Sequence, residues 1–119
     1  MNDILTLSAA QLSEKLTSGE LSSCEVVDSY LDSIEKKDGE IGAYLTVTAQ
    51  TAREKAKQID AKRAAGDRLP PLAGIPGAIK DNMCTKGVRT TCASKMLESF
   101  VPCYTATAVQ KLESAGYIM

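Results

Sequence analysis

Pro70 and Pro71 stand side by side shortly after Gly66, and no continuous helix or inner strand can run through such a pair. Each proline lacks a backbone N–H, and each pushes the residue before it towards extended conformations. The stretch Gly66-Asp67-Arg68-Leu69-Pro70-Pro71 therefore reads as a linker. It divides the 119-residue chain into a helical arm, residues 1–65, and a second part, residues 66–119.

Two helix starts mark the arm. Ser8 with Gln11 and Ser22 with Glu25 each make a capping box, and Leu7 with Leu12 and Leu21 with Val26 stand at the staple positions. Gly19 reads as the stop between them. In the second helix Val26, Val27, Tyr30, Leu31 and Ile34 form one apolar stripe at helical spacing, suited to a core or a subunit contact. Residues 42–47, GAYLTV, read as extended; Thr48 then caps a third helix running to about Ala65, which relies on Ala52, Ala56 and Ile59 for its apolar side. Arg53, Lys55, Lys57, Lys62, Arg63 and Arg68 outnumber the acids of this region and read as a solvated helix face.

Beyond the linker, the stretch Leu72 to Asn82, LAGIPGAIKDN, reads as a short buried strand with Lys80 at its end. Period-two alternation sets Ile75, Gly77 and Ile79 on one face and Pro76, Ala78 and Lys80 on the other. Gly74, Gly77 and Ala78 leave room for a second backbone or a ligand to come close. Cys84 to Thr91 reads as a loop and Ser94 to Ser99 as a helical turn capped by Ser94. Thr105 to Ala115 reads as a helix stopped by Gly116, with a new strand beginning at Tyr117-Ile118-Met119. Strand, helix, strand opens an α/β unit. An edge left unpaired there predicts a fragment of a larger protein, marginally stable and prone to self-association.

There is no histidine, which excludes Ser-His-Asp, Cys-His and histidine-zinc sites built from this chain alone. A base must be a lysine or a carboxylate, and Lys80 is the candidate. Asp81 and Asn82 read as turn formers bonding backbone groups two residues on, with Asp81 turned away from Lys80. Cys24, Cys84, Cys92 and Cys103 contain no CxxC pair and read as reduced thiols; Cys84 and Cys92 lack the electropositive setting a nucleophile needs. A net charge of −1 argues against a free-standing nucleic-acid binder. The start MNDILTL is acidic and no long apolar run follows, so neither a signal peptide nor a membrane span is expected.

Read together, GIPGAIKDN and CTKGVRTTCASKMLE, followed by FVPCY, resemble the amidase signature family, and within it the A subunits of the amidotransferase that works on glutamyl-tRNA(Gln). Looser similarity extends from LSAAQLSEKLTSGELSS to ATAVQKLESAGY. Gly77 stands where the family usually has a branched apolar residue, Cys103 where a second proline is common, and Thr105 where aspartate is common.

The resemblance implies an α/β fold in which a mixed sheet is covered by helices, with residues 66–119 forming its first, incomplete part. It implies a serine nucleophile, a second bridging serine, and a lysine that accepts the proton through the bridge. Lys80 matches the lysine; both serines lie in a downstream glycine- and serine-rich segment. A lysine ordinarily titrates at about 10.4, so a neutral amine near pH 7 costs roughly 4 kcal/mol, and the fragment alone is expected to be inactive with a solvated Lys80. The implied reaction is hydrolysis of glutamine to glutamate and ammonia. Ammonia then passes to a partner that converts Glu-tRNA(Gln) to Gln-tRNA(Gln) using ATP and magnesium, within a cytoplasmic heterotrimer with B and C subunits. No cofactor is assigned to this chain, and tRNA contacts fall mainly to the partner. Two alternatives stay open: a general amidase acting on small amides, and a non-catalytic helical binding module.

Overall fold

The computed structural model describes residues 3–119; Met1 and Asn2 of the acidic start lie outside them. Among the described residues there are four α-helices: α1 (Ala9–Ser18), α2 (Ser23–Ile41), α3 (Ala49–Ala64) and α4 (Thr107–Ser114). Single 3-10 turns occupy Ile4–Thr6 and Lys95–Leu97.

Both expected capping boxes form. Ser8 and Ser22 accept from the backbone N–H groups of Gln11 and Glu25, whose side chains accept in return from the cap residues' own N–H groups. Gly19 closes α1 in the left-handed conformation, φ 78°. The cap of α2 has a second component from another helix: Asp60 of α3 accepts from the N–H of Ser23 at 2.8 Å and of Cys24 at 3.0 Å. Farther along, Arg53 Nε meets Asp28 at 2.8 Å. Early residues of α2 thus pair with late residues of α3, so the two helices run antiparallel.

The caps expected at Thr48 and Ser94 make no side-chain capping bond. Thr48 begins α3 without a capping bond, because its hydroxyl donates instead to the Met119 carbonyl at 2.9 Å. Ser94 makes no side-chain cap either. Helix α4 starts after Ala106, and the Thr105 hydroxyl accepts from the Lys86 N–H at 3.0 Å. The basic face of α3 is also less uniform than its composition implies. Arg53 is paired as above, and Arg63 folds back to donate to the Ala73 carbonyl at 3.2 Å.

The strands expected at residues 72–80 and 117–119 are reduced, among the described residues, to one parallel bridge between Pro76 and Ile118. Ile118 N–H donates to Ile75 O at 2.9 Å and Gly77 N–H to Ile118 O at 2.9 Å. Residues 71–74 are instead a turn, in which Gly74 takes φ 91°, and a pair of short segments without further strands is a marginal sheet. The room left by the small residues is filled by the chain itself. A Cβ on Gly74 would lie 2.5 Å from Ser23 Oγ, and one on Gly77 would overlap the ring of Tyr117.

Two apolar clusters hold these pieces together. Leu12, Leu16, Val26 and Ile75 form one; Val27, Ala52, Ala56, Ile59, Ala73 and Ile118 form the other. Each joins helices of the arm to residues beyond the prolines. Burying one such aliphatic side chain contributes about 1.5–3 kcal/mol, so Ile75 and Ile118, at 5% and 1% exposure, anchor the segment leading to Lys80.

Candidate active site

Lys80 ends the segment anchored by Ile75. Its side chain is exposed and makes no hydrogen bond or ion pair among the described residues. It stands at an open cleft of about 650 Å³, walled by the α2 stripe (Val27, Tyr30, Leu31, Ile34), by residues 43–48 and by residues 76–81. Val26 and Val27 of that stripe are buried in the core, while Tyr30, Leu31 and Ile34 stay partly open to the cleft.

Asp81 lines the same cleft as Lys80 and forms no ion pair with it. It does not serve a local turn, however. Its carboxylate accepts from Thr91 N–H at 2.8 Å and from the Thr91 hydroxyl in a short bond, and its carbonyl accepts from Cys92 N–H at 2.9 Å. The Thr91 hydroxyl, then its amide, hold the Asp81 carboxyl below the usual carboxylate range, aided by the Ala93 amide and by Arg89. The local turn is made by backbone alone, with Met83 N–H donating to Lys80 O at 3.1 Å, and Asn82 is exposed.

Next to this clamp lie two consecutive non-glycine residues in the left-handed region, Cys92 at φ 51° and Ala93 at φ 57°. Such residues cost on the order of 1–3 kcal/mol each and persist only where their surroundings hold them. The bonds from Cys92 to Asp81 O, and from Ala93 N–H to the Thr91 hydroxyl at 3.2 Å, supply that hold. Nothing in the residue types announces this turn, since no glycine marks it.

Upstream of Lys80, Tyr117 lies across Gly77 and donates its hydroxyl to the Ala78 carbonyl at 3.0 Å. Burial pushes its phenol up, with Tyr44 adding to the effect. Sequence reading assigned Tyr117 only to a nascent strand.

The four cysteines are free. Cys84, half-buried, donates to the Tyr104 hydroxyl at 3.4 Å, while Cys92 and Cys103 are exposed. Among the described residues no group of His, Cys, Asp and Glu side chains is placed to hold a metal ion, and no helix is long and apolar enough to cross a membrane.

The amidase family model matches residues 25–119, and the chain belongs to that family. It is 49% identical over 98% of its length to the A subunit of the glutamyl-tRNA(Gln) amidotransferase of Desulforamulus reducens, and 50% identical over 98% to its counterpart in Moorella thermoacetica. It spans 24% of each of those relatives. Among solved structures, it superposes with a TM-score of 0.89 and 35% identity on a chain from a vestigial protein complex tied to the origins of an s-triazine catabolic enzyme. That match covers 94% of this chain and 25% of the other.

Proposed function

We propose that this chain is the amino-terminal portion of an amidotransferase A subunit, and that Lys80 is the proton acceptor of its amide-hydrolysing site. The observation carrying the reading is the gradient of identity. The chain is 49–50% identical to amidotransferase A subunits over nearly its whole length, against 35% for the solved amidase-fold chain. The cleft location of Lys80 and its freedom from any carboxylate partner support the assignment, because an ion pair would hold the proton that a base must lack.

In this reading the serine nucleophile attacks the side-chain amide carbonyl of glutamine, and its proton passes through the bridging serine to the Lys80 amine. Return of that proton to the departing nitrogen releases ammonia and leaves a glutamyl ester on the serine, which water then hydrolyses to glutamate, restoring the serine hydroxyl. Both serines belong to the glycine- and serine-rich part of such subunits. The pairing of Pro76 with Ile118 would then seed the mixed sheet. Ammonia is consumed by a partner within a cytoplasmic heterotrimer of A, B and C subunits. ATP and magnesium act on that partner, and no residue of this chain is assigned to either.

The test is an assay of the protein its gene encodes, with its partner subunits, measuring ammonia released from glutamine and from simple aliphatic amides. Glutamine preference, abolished by Lys80→Met, is the expected result. Equal or faster release from simple amides would replace the reading with a general amidase. Full activity in Lys80→Met would remove Lys80 from the chemistry.

A further inference from the structure

We propose that Asp81 is a positioning residue: by clamping the end of the Lys80 segment to Thr91 and the Cys92–Ala93 turn, it fixes the backbone from which the Lys80 amine projects. The proposal rests on the Lys80 reading and adds a residue to it.

Three observations carry it. First, every hydrogen-bonding group that Asp81 commits runs to one place ten or eleven residues away: both carboxylate oxygens to Thr91 and the main-chain carbonyl to Cys92. A solvent-facing turn residue would not be held at three points. Second, the far side of the clamp is the left-handed Cys92–Ala93 pair, whose geometry depends on those same bonds through the Thr91 hydroxyl. Third, among the described residues Lys80 has no side-chain partner to orient it, so its placement comes from its backbone. That backbone is held upstream by Ile75 in the core and by Tyr117 on the Ala78 carbonyl, and downstream by Asp81.

An amine that must accept a proton in register with a nucleophile loses rate steeply when displaced, since a misplacement of about 1 Å can cost roughly a hundredfold. Substrate binding by other parts of the site is untouched. Loosening the clamp is therefore read as a fall in kcat with KM preserved.

The experiment compares Asp81→Ala, Asp81→Asn and Thr91→Val in the complete amidotransferase assembly, with kcat expressed per folded protein. Asparagine keeps the shape: its oxygen accepts from the Thr91 amide and its NH2 group can donate to the Thr91 hydroxyl oxygen. Expected are a loss of about tenfold or more in kcat for Asp81→Ala and Thr91→Val, KM within about twofold of wild type, and rescue to within about threefold by Asp81→Asn. If Asp81→Ala does not fold, Thr91→Val and Asp81→Asn decide the matter.

The proposal is overturned if kcat per folded protein is unchanged in Asp81→Ala or Thr91→Val, or if the loss falls on KM alone. It is equally overturned if Asp81→Asn is as impaired as Asp81→Ala, which would make the charge, and not the clamp, the operative property. Lys80→Met is run alongside. An active Lys80→Met protein rejects the underlying reading, whereas an inactive one beside an unimpaired Asp81→Ala rejects the positioning role alone.

Discussion

The Tyr117 hydroxyl occupies the space into which a side chain at Gly77 would grow, and the absence of that side chain lets the phenol reach the Ala78 carbonyl at 3.0 Å. A Cβ at position 77 would stand 2.6 Å from Tyr117 Cζ and 2.9 Å from Cε2. Gly77 thus has a partner forty residues later in the chain.

Gly77→Val is expected to push the ring aside, break the Ala78 bond and destabilise the chain by about 1–3 kcal/mol. Tyr117→Ala in the same chain should make valine at position 77 much less costly, a coupling of about 1 kcal/mol or more. Urea unfolding of the two single variants and the double variant measures this; additive effects would show that the residues are independent.

Gly116 and Gly19 both adopt positive φ, at 91° and 78°, but only Gly116 is crowded, a Cβ there lying 2.6 Å from Ala73 Cα. Gly19→Ala should cost about 1–2 kcal/mol, the left-handed backbone penalty alone. Gly116→Ala adds a backbone collision and should cost about 3 kcal/mol or more. Denaturation midpoints of the two variants compare them directly.

Asp60 couples stability to acid. Burial works to raise its carboxyl, but the amides of Ser23 and Cys24 outweigh burial and hold it below its ordinary 3.8. The folded chain therefore releases this proton more readily than the unfolded one. The contribution is fully present above 3.8 and is lost as pH falls through the lower folded value. Asp60→Asn should cost on the order of 1–3 kcal/mol at neutral pH, consistent with losing hydrogen bonds to a charged acceptor, and should flatten the fall in stability on the acid side. Urea midpoints across the acid range are the measurement.

Lys80→Met should leave stability within about 0.5 kcal/mol of wild type, because the side chain is exposed and has no partner among the described residues. A thermal unfolding comparison checks it. Only then does loss of activity in the complete enzyme report on chemistry.

The helices were legible because their signals are local. Serine followed by Gln or Glu at the third position names a helix start whatever surrounds it, and both boxes form at Ser8 and Ser22. The cap expected at Thr48 does not form, because its hydroxyl is claimed by a partner distant in the chain, Met119. The clamp at Asp81 was missed for the same reason: its short side chain fits a local turn and a remote Thr91 equally well, and spacing cannot choose between them. The strands fell short because pairing depends on neighbouring segments, and one bridge at Pro76 is all that the two segments make.

Ile118 completes the cluster formed by Val27, Ala52, Ala56 and Ile59. Since a ribosome delivers residues in order, α2 and α3 emerge well before the isoleucine that seals them, and for that interval their oily faces are bare to solvent. Synthesis of the nascent polypeptide thus includes a vulnerable period, closing only when that isoleucine arrives, in which chaperones or neighbouring chains have access to surfaces that the folded molecule hides.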